Sequence, residues 1–178
     1  MKVLFGPVLA LLSSIAPPAF AHAVLDNPRA EAGSIYRAAI RITHGCAGSP
    51  VREVIVQIPE GVRGAKPMPK PGWTLEIEKA RLAQPYESHG RRVEEDVVRV
   101  RWSGGRLENA HFDEFVLLAA LPDRPGKLYW KVSQVCEQGR IDWFDLPDGG
   151  KPVADLKEPA AVLEVLPAAH ADHGGHKH

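Results

Sequence analysis

Cysteine is scarce in this chain, neither sign of charge is in excess, and no apolar run is long. The 178 residues include two Cys, and 22 Lys and Arg balance 22 Asp and Glu. Two Cys exclude a four-Cys zinc site and a mini-protein built on several disulfides. The balanced charge argues against a nucleic-acid-binding protein and against an acidic disordered chain. No Gly-rich phosphate loop, nucleophile elbow or paired catalytic carboxylate motif occurs. We therefore expect neither an enzyme nor a nucleic-acid partner, and no lipid anchor is evident.

Residues 1–21 have the layout of a cleaved signal peptide, which predicts a periplasmic or secreted protein. A positively charged start precedes an uncharged apolar stretch that ends at Pro17-Pro18, and Ala19-Phe20-Ala21 offers a small-x-small cleavage site. The stretch is shorter than the ~20 residues that span a bilayer, which disfavours an uncleaved membrane anchor. Cleavage after Ala21 would make His22 the first residue, whereas a second site, Ala21-His22-Ala23, would remove it.

The rest of the chain is predicted to be all-β. Apolar and polar residues alternate in several short segments, and strand side chains point to opposite faces in turn. Turn signals rich in Gly, Pro and Asp separate these segments, among them Ser103-Gly104-Gly105. Roughly seven to nine strands favour an antiparallel β-sandwich, Ig-like or cupredoxin-like, with a closed barrel as the alternative. The clearest segments are Tyr36–Ile42, Val54–Ile58, Trp73–Ile77, Val98–Trp102, Phe115–Leu121, Lys127–Val135 and Ala161–Leu166.

The β-sandwich domain is expected to span residues 22–167. Residues 168–178 are typical of a disordered tail, with two Gly and no large apolar residue. Its four histidines would collect divalent metal ions loosely; incidental binding by a solvated tail is the alternative. They are His170, His173, His176 and His178.

The two cysteines allow a single intramolecular pair. Cys46 lies in His44-Gly45-Cys46, and Cys136 lies in Gln134-Val135-Cys136. An oxidising compartment favours a Cys46–Cys136 disulfide, which would close a loop of about 90 residues and stabilise the fold by ~4 kcal/mol in the chain-entropy treatment. A thiolate copper ligand is the alternative, but such a site also needs histidines near the Cys.

An N-terminal His can chelate a metal ion without help from other residues. Its α-amine and its own Nδ1 close a six-membered ring on one ion, and the ordinary pKa of such an amine is about 8, so a metal can displace its proton. Two nitrogen donors suit Cu(II). His22 would have this property only at a mature N-terminus; on position alone, an exposed terminal His without a metal is an equal alternative.

The other histidines and Trp143 give weaker signals. His44, His89 and His111 are expected to have ordinary surface or turn roles, with His89 at a hairpin tip, because no His-x-His pairing accompanies them. Trp143 is either a core residue or part of a site.

A set of short motifs occurs in a fixed order along the chain: His22-Ala23-Val24-Leu25, Ala32-Gly33-Ser34, His44-Gly45-Cys46-Ala47-Gly48-Ser49-Pro50, Ile58-Pro59-Glu60-Gly61-Val62, Lys66-Pro67-Met68-Pro69-Lys70-Pro71-Gly72-Trp73, Trp102-Ser103-Gly104-Gly105, Phe112-Asp113-Glu114-Phe115, Cys136-Glu137-Gln138-Gly139 and Trp143. Together these motifs resemble the YcnI-like family of bacterial exported copper-binding domains, from His22 to about Pro167.

The resemblance implies a β-sandwich that binds one copper ion at its mature N-terminus. The amine and ring of His22 would hold Cu(II), and a carboxylate and a tryptophan would complete or border the site. Trp143 is the tryptophan that we select; Glu31 is the first choice for the carboxylate and Asp26 the second. The function implied is periplasmic acquisition, buffering or transfer of copper, with other exported or membrane copper-handling proteins as partners. A copper oxidase or monooxygenase, which adds a second His, and an interaction module without a metal are the alternatives.

Overall fold

The computed structural model describes residues 22–147 and 152–168, which fold into two facing β-sheets. In this part of the chain the only helix is a single 3-10 turn, Val153–Asp155, and no helix is long and apolar enough to cross a membrane. The strands are β1 (Val24–Leu25), β2 (Arg29–Glu31), β3 (Ile35–Ile42), β4 (Val51–Gln57), β5 (Arg63–Pro67), β6 (Thr74–Ser88), β7 (Arg91–Leu107), β8 (Asp113–Ala120), β9 (Gly126–Cys136), β10 (Arg140–Trp143) and β11 (Ala161–Leu166).

The two sheets have four and seven strands. The smaller has the order β1-β3-β8-β5, and the larger has the order β2-β11-β9-β4-β7-β6, with β10 paired to β9 beside the end of β11. The strand ladders are antiparallel except that of β2 with β11. This arrangement confirms the predicted all-β sandwich.

Alternating burial builds the core between the sheets. On β3, Tyr36, Ala38, Ile40 and Ile42 are at most 4% exposed, as their period of two predicts. The largest side chains at the centre, among them Trp102, Trp130 and Phe115, are fully buried. Burial of each such side chain contributes about 1.5–3 kcal/mol, so the sandwich interior is the main source of stability.

The β6–β7 hairpin is longer than the alternation predicts. The predicted segments covered only Trp73–Ile77 and Val98–Trp102, whereas the strands run on to a turn at His89-Gly90. Both turn residues have positive φ, 49° and 72°, which is typical of a tight two-residue hairpin turn. The hairpin tip predicted at His89 is therefore confirmed.

The turn predicted at Ser103-Gly104-Gly105 is wrong, because β7 continues through it to Leu107. The pairing of β7 with β4 shifts here: Glu53 lies opposite Ser103, and Val51 lies opposite Leu107. Between these two pairs β4 has one residue and β7 has three, so the glycines accompany a β-bulge. Gly105 also makes room for Trp73, whose ring atoms would lie 2.1 Å from a Cβ at that position.

Tyr86 near the hairpin tip gives the fold a pH dependence. Burial and the hydrogen bond from its hydroxyl to Asp96 (2.7 Å) raise the pKa of Tyr86 to about 12 from 10.0. Between these two pH values the unfolded chain loses the tyrosine proton while the folded chain keeps it. The free energy of unfolding therefore falls as pH rises through this window, and below it this contribution is constant.

The substitution Tyr86→Phe is expected to reduce this slope. Urea unfolding of both proteins across the same pH window measures it. Burial also raises the pKa of Tyr36 to about 12, so part of the slope remains in the variant. Equal slopes in the two proteins would contradict the assignment.

Candidate metal centre

His22 lies two residues before the start of β1, the edge strand of the smaller sheet. In the β1–β3 ladder Val24 faces Arg41 and Leu25 faces Ile40. Continued by two residues, this register places His22 opposite Thr43, directly beyond the end of β3. The imidazole of His22 is partly buried and makes a T-shaped contact with the indole of Trp143, with ring centroids 5.7 Å apart and planes at 67°.

Trp143 is at once a core residue and a neighbour of His22. It is 4% exposed and ends β10, where it pairs with Val132 of β9. Its indole nitrogen donates a hydrogen bond to Oε1 of Gln134 at 3.3 Å. The strand pairing and this hydrogen bond fix the plane of the indole. Trp143 is therefore a rigid aromatic neighbour of His22.

The ring of His44 contacts the same tryptophan. Its ring centroid is 6.4 Å from that of Trp143, with planes at 81°. His44 occupies a bend after β3, in keeping with the turn role expected for it, but its ring is partly buried. Because a carbonyl oxygen can only accept, the 2.6 Å contact from Nδ1 to the Gly45 carbonyl oxygen places the ring proton on Nδ1. In the neutral ring the lone pair is then on Nε2.

Gln134 ties His44 to Trp143. This side chain is 1% exposed, and its Nε2 donates a hydrogen bond of 2.6 Å to the backbone carbonyl of His44. Its Oε1 accepts from Trp143. The buried amide of Gln134 therefore fixes the backbone of His44 and the side chain of Trp143. Because Gln134 is buried, losing either hydrogen bond would cost stability.

The loop that carries His44 is constrained on several sides. Cys46 and Ser49 exchange backbone hydrogen bonds of 3.1 and 2.9 Å, and the backbone N–H of Gly45 donates to Oδ1 of Asn109 at 3.0 Å. A Cβ on Gly45 would lie 1.8 Å from the carbonyl oxygen of Ser49, so the turn requires glycine there.

The predicted disulfide is confirmed: Cys46 is bonded to Cys136, with their Cα atoms 5.9 Å apart.

Glu31, the first choice for the carboxylate, lies away from His22. It ends β2 and pairs with Leu166 at the end of β11. His22 shares a surface cavity with Ala160 and Ala161 at the start of that strand. Five residues of strand, about 16 Å, separate the two ends. The chain reaches Glu31 only after turning from the smaller sheet to the larger one, so the structure does not bring Glu31 to His22.

Asp26 lines the same cavity as His22 but is engaged with Arg41. Its carboxylate lies 3.4 Å from the Arg41 guanidinium, and its backbone N–H donates to the Ala39 carbonyl at 3.0 Å. Asp26 thus lies further along the edge of β3 than His22. Among the described residues no three His, Cys, Asp or Glu side chains form a group that could hold a metal ion.

The remaining predicted histidines contribute nothing to this centre in the described residues. His89 forms the hairpin tip and His111 is exposed in the loop before β8. The predicted tail ligands His170, His173, His176 and His178 lie outside the described residues.

Neither Gln134 nor the contact of His44 with Trp143 was predicted from the sequence. A signal was present: His44 and Gln134 each lie two residues before a disulfide cysteine. Once Cys46 and Cys136 are paired, these two positions are expected to be neighbours, which the hydrogen bond between them bears out.

The comparisons with known proteins support the fold and identify the family. A crystal structure of an uncharacterized protein from Nocardia farcinica, described as having an immunoglobulin-like fold, superposes with a TM-score of 0.62 at 20% identity, covering 82% of this chain and 98% of that one. At this identity the likeness shows the fold alone. No curated protein matches. The family model described as "Domain of unknown function (DUF1775)" matches residues 22–165. The chain therefore belongs to the DUF1775 family, which is the YcnI-like family.

Proposed function

We propose that this protein is exported to the periplasm and binds Cu(II) through His22 at its mature N-terminus, in order to acquire, buffer or hand over copper. The observation that carries the proposal is the position of His22, which directly follows the predicted cleavage site Ala19-Phe20-Ala21 and makes a T-shaped contact with the buried Trp143. Cleavage after Ala21 would turn the backbone nitrogen of His22 into a free amine beside its own imidazole.

The donor set fits copper. An amine and an imidazole on one residue give two nitrogen ligands in a fixed chelate, and Cu(II) heads the affinity order for divalent ions at such ligands. Trp143 would hold the imidazole through this T-shaped contact and keep water from one side of the site. The surface cavity that His22 lines on the other side would leave a path along which a partner protein could reach the ion.

A chelate with few protein donors suits a carrier better than a permanent store. Coordination positions left to water or to a partner's ligand allow exchange without unfolding the site. The four tail histidines would raise the local copper concentration around the domain. Exported or membrane copper-handling proteins are the partners proposed for transfer.

The test is a Cu(II) titration of the exported protein in which the four tail histidines are replaced by Ser, so that the tail does not compete. Mass spectrometry first confirms that the chain begins at His22. We expect one tight equivalent, and we expect the substitution His22→Ala to remove it. The matched control is His111→Ala, which alters an exposed loop histidine and should bind as the parent does. Tight binding that survives His22→Ala would refute the proposal.

The same preparation separates a carrier from an oxidase. The copper-loaded carrier is expected to consume oxygen with ascorbate no faster than a matched amount of copper bound to a simple chelator. It should also transfer its copper to a chelating acceptor. Sustained turnover well above that control would instead favour an oxidase or monooxygenase.

A further inference from the structure

We infer that His44 supplies a second imidazole, through Nε2, to the ion held by His22, so that the centre has two histidines and no carboxylate. This inference rests on the proposed function and adds the ligand set. A second histidine is also what the oxidase or monooxygenase alternative would add, and the oxygen-consumption assay described above distinguishes that enzyme from a carrier. It differs from the set that the family resemblance implies, in which a carboxylate accompanies the terminal histidine.

The backbone brings the two histidines to the same edge of the domain. The β1–β3 register places His22 opposite Thr43, and His44 is the next residue along the chain. Both residues therefore lie at one end of a two-strand ladder. Two side chains separated by 22 positions in sequence become near neighbours because β1 adds to the edge of β3.

The side chains converge on one indole. The ring centroid of His22 lies 5.7 Å from that of Trp143 and the ring centroid of His44 lies 6.4 Å from it, both in T-shaped contacts. Since Trp143 is 4% exposed and held by Gln134, it serves as a fixed reference for both rings. Both rings therefore surround one indole, and the proposal places the ion between them.

The tautomer of His44 is the one that a metal ligand needs. Donation from Nδ1 to the Gly45 carbonyl at 2.6 Å leaves the lone pair on Nε2. Metal-binding histidines usually donate their other ring N–H to a carbonyl or carboxylate, which fixes the ring and raises the basicity of the binding nitrogen. The Gly45 carbonyl would have this role here.

The surrounding loop is built to hold that ring. The hydrogen bond from Gln134 to the His44 carbonyl and the Cys46–Cys136 disulfide fix the backbone on both sides of Gly45. Such restraint lowers the entropy lost when a side chain binds a ligand. An ordinary surface turn would not require it.

The two candidate carboxylates are placed less favourably than His44. Glu31 lies at the far end of β11, and Asp26 is paired with Arg41. The described residues contain no cluster of three metal-binding side chains. Two imidazoles and a terminal amine give three nitrogen donors from only two side chains, so they satisfy copper without such a cluster.

Pulsed EPR of the Cu(II)-loaded, tail-substituted protein tests this ligand set. The method counts bound imidazoles by the weak coupling of their distal nitrogens. Two imidazoles are expected in the parent protein and one in His44→Ala, with affinity lower by at least about tenfold. His111→Ala and Glu31→Gln are the matched controls and should keep two imidazoles and the parent affinity.

The possible failures are distinguishable. A single imidazole in the parent, with binding lost in His22→Ala, would overturn the role of His44 and leave the proposed function standing. Loss of tight binding in Glu31→Gln at unchanged thermal stability would overturn it as well, in favour of a carboxylate. The count in the parent protein needs no substitution, so misfolding of His44→Ala would not prevent the decision. Equal binding by the parent and His22→Ala would refute the proposed function itself.

Discussion

An extension of four residues, Gly-Ser-Gly-Ser, ahead of His22 is expected to weaken Cu(II) binding by about 100-fold or more, which corresponds to about 2.7 kcal/mol. The imidazole of His22 is unchanged in this variant, but the free amine moves out of reach of the metal. The chelate is then replaced by a single ring nitrogen at this residue. Isothermal titration calorimetry of the tail-substituted protein with Cu(II) measures the change in affinity, after mass spectrometry has confirmed the N-terminus.

The length of the extension matters for the design. With only one or two added residues, His22 would become the second or third residue of the chain. Cu(II) then binds the new amine, the histidine ring and the intervening amide nitrogens, and the affinity would not report on the native site. The control is the same four-residue extension in the His22→Ala background. Its Cu(II) affinity should be lower than that of the extended parent by no more than the contribution of one imidazole ring. Equal affinity of the extended and native termini would contradict the role of the amine.

The double substitution Cys46→Ala with Cys136→Ala is expected to lower the free energy of unfolding by ~4 kcal/mol. The disulfide joins residues 90 apart in sequence, so it removes many conformations from the unfolded chain. Since domains of this size are stable by about 5–15 kcal/mol, the loss is a large part of the total. The melting temperature should fall by about 10 °C or more.

Urea or thermal unfolding measures this effect. The wild-type protein with its disulfide reduced serves as the matched control and should unfold at the same denaturant concentration as the double variant. Both cysteines are replaced together because a single free thiol would bind copper and form intermolecular disulfides. A double variant as stable as the oxidised wild type would show that the crosslink does not stabilise the fold.

Much of the sandwich is predictable because burial imposes alternation. Tyr36, Ala38, Ile40 and Ile42 face the core as their spacing predicts. The length of the β6–β7 hairpin is not predictable in this way, because residues near its tip are mostly exposed on both faces and therefore show no alternation of apolar and polar residues. Gly104 and Gly105 predict a turn where the strand continues, because a bulge and a turn use the same residues.

The candidate centre is predictable only in part, since its components come together through tertiary contacts. Position singles out His22 and the family resemblance singles out Trp143, and their rings are in contact in the fold. The contact of His44 with the same tryptophan depends on how β1 registers with β3 and on a buried amide at Gln134. Neither the register nor that amide leaves a periodic trace in the sequence. The sequence likewise does not reveal that the chain changes sheets before Glu31, so the separation of Glu31 from His22 is evident only in the fold.

A crystal structure of the exported protein grown with one equivalent of Cu(II) tests the central claim most directly, with the metal located by anomalous scattering. The account predicts one strongly occupied ion within about 2.0–2.1 Å of both the terminal amine and Nδ1 of His22, next to Trp143. An ion bound elsewhere in the domain, or one that contacts the His22 ring while the amine points away, would contradict it.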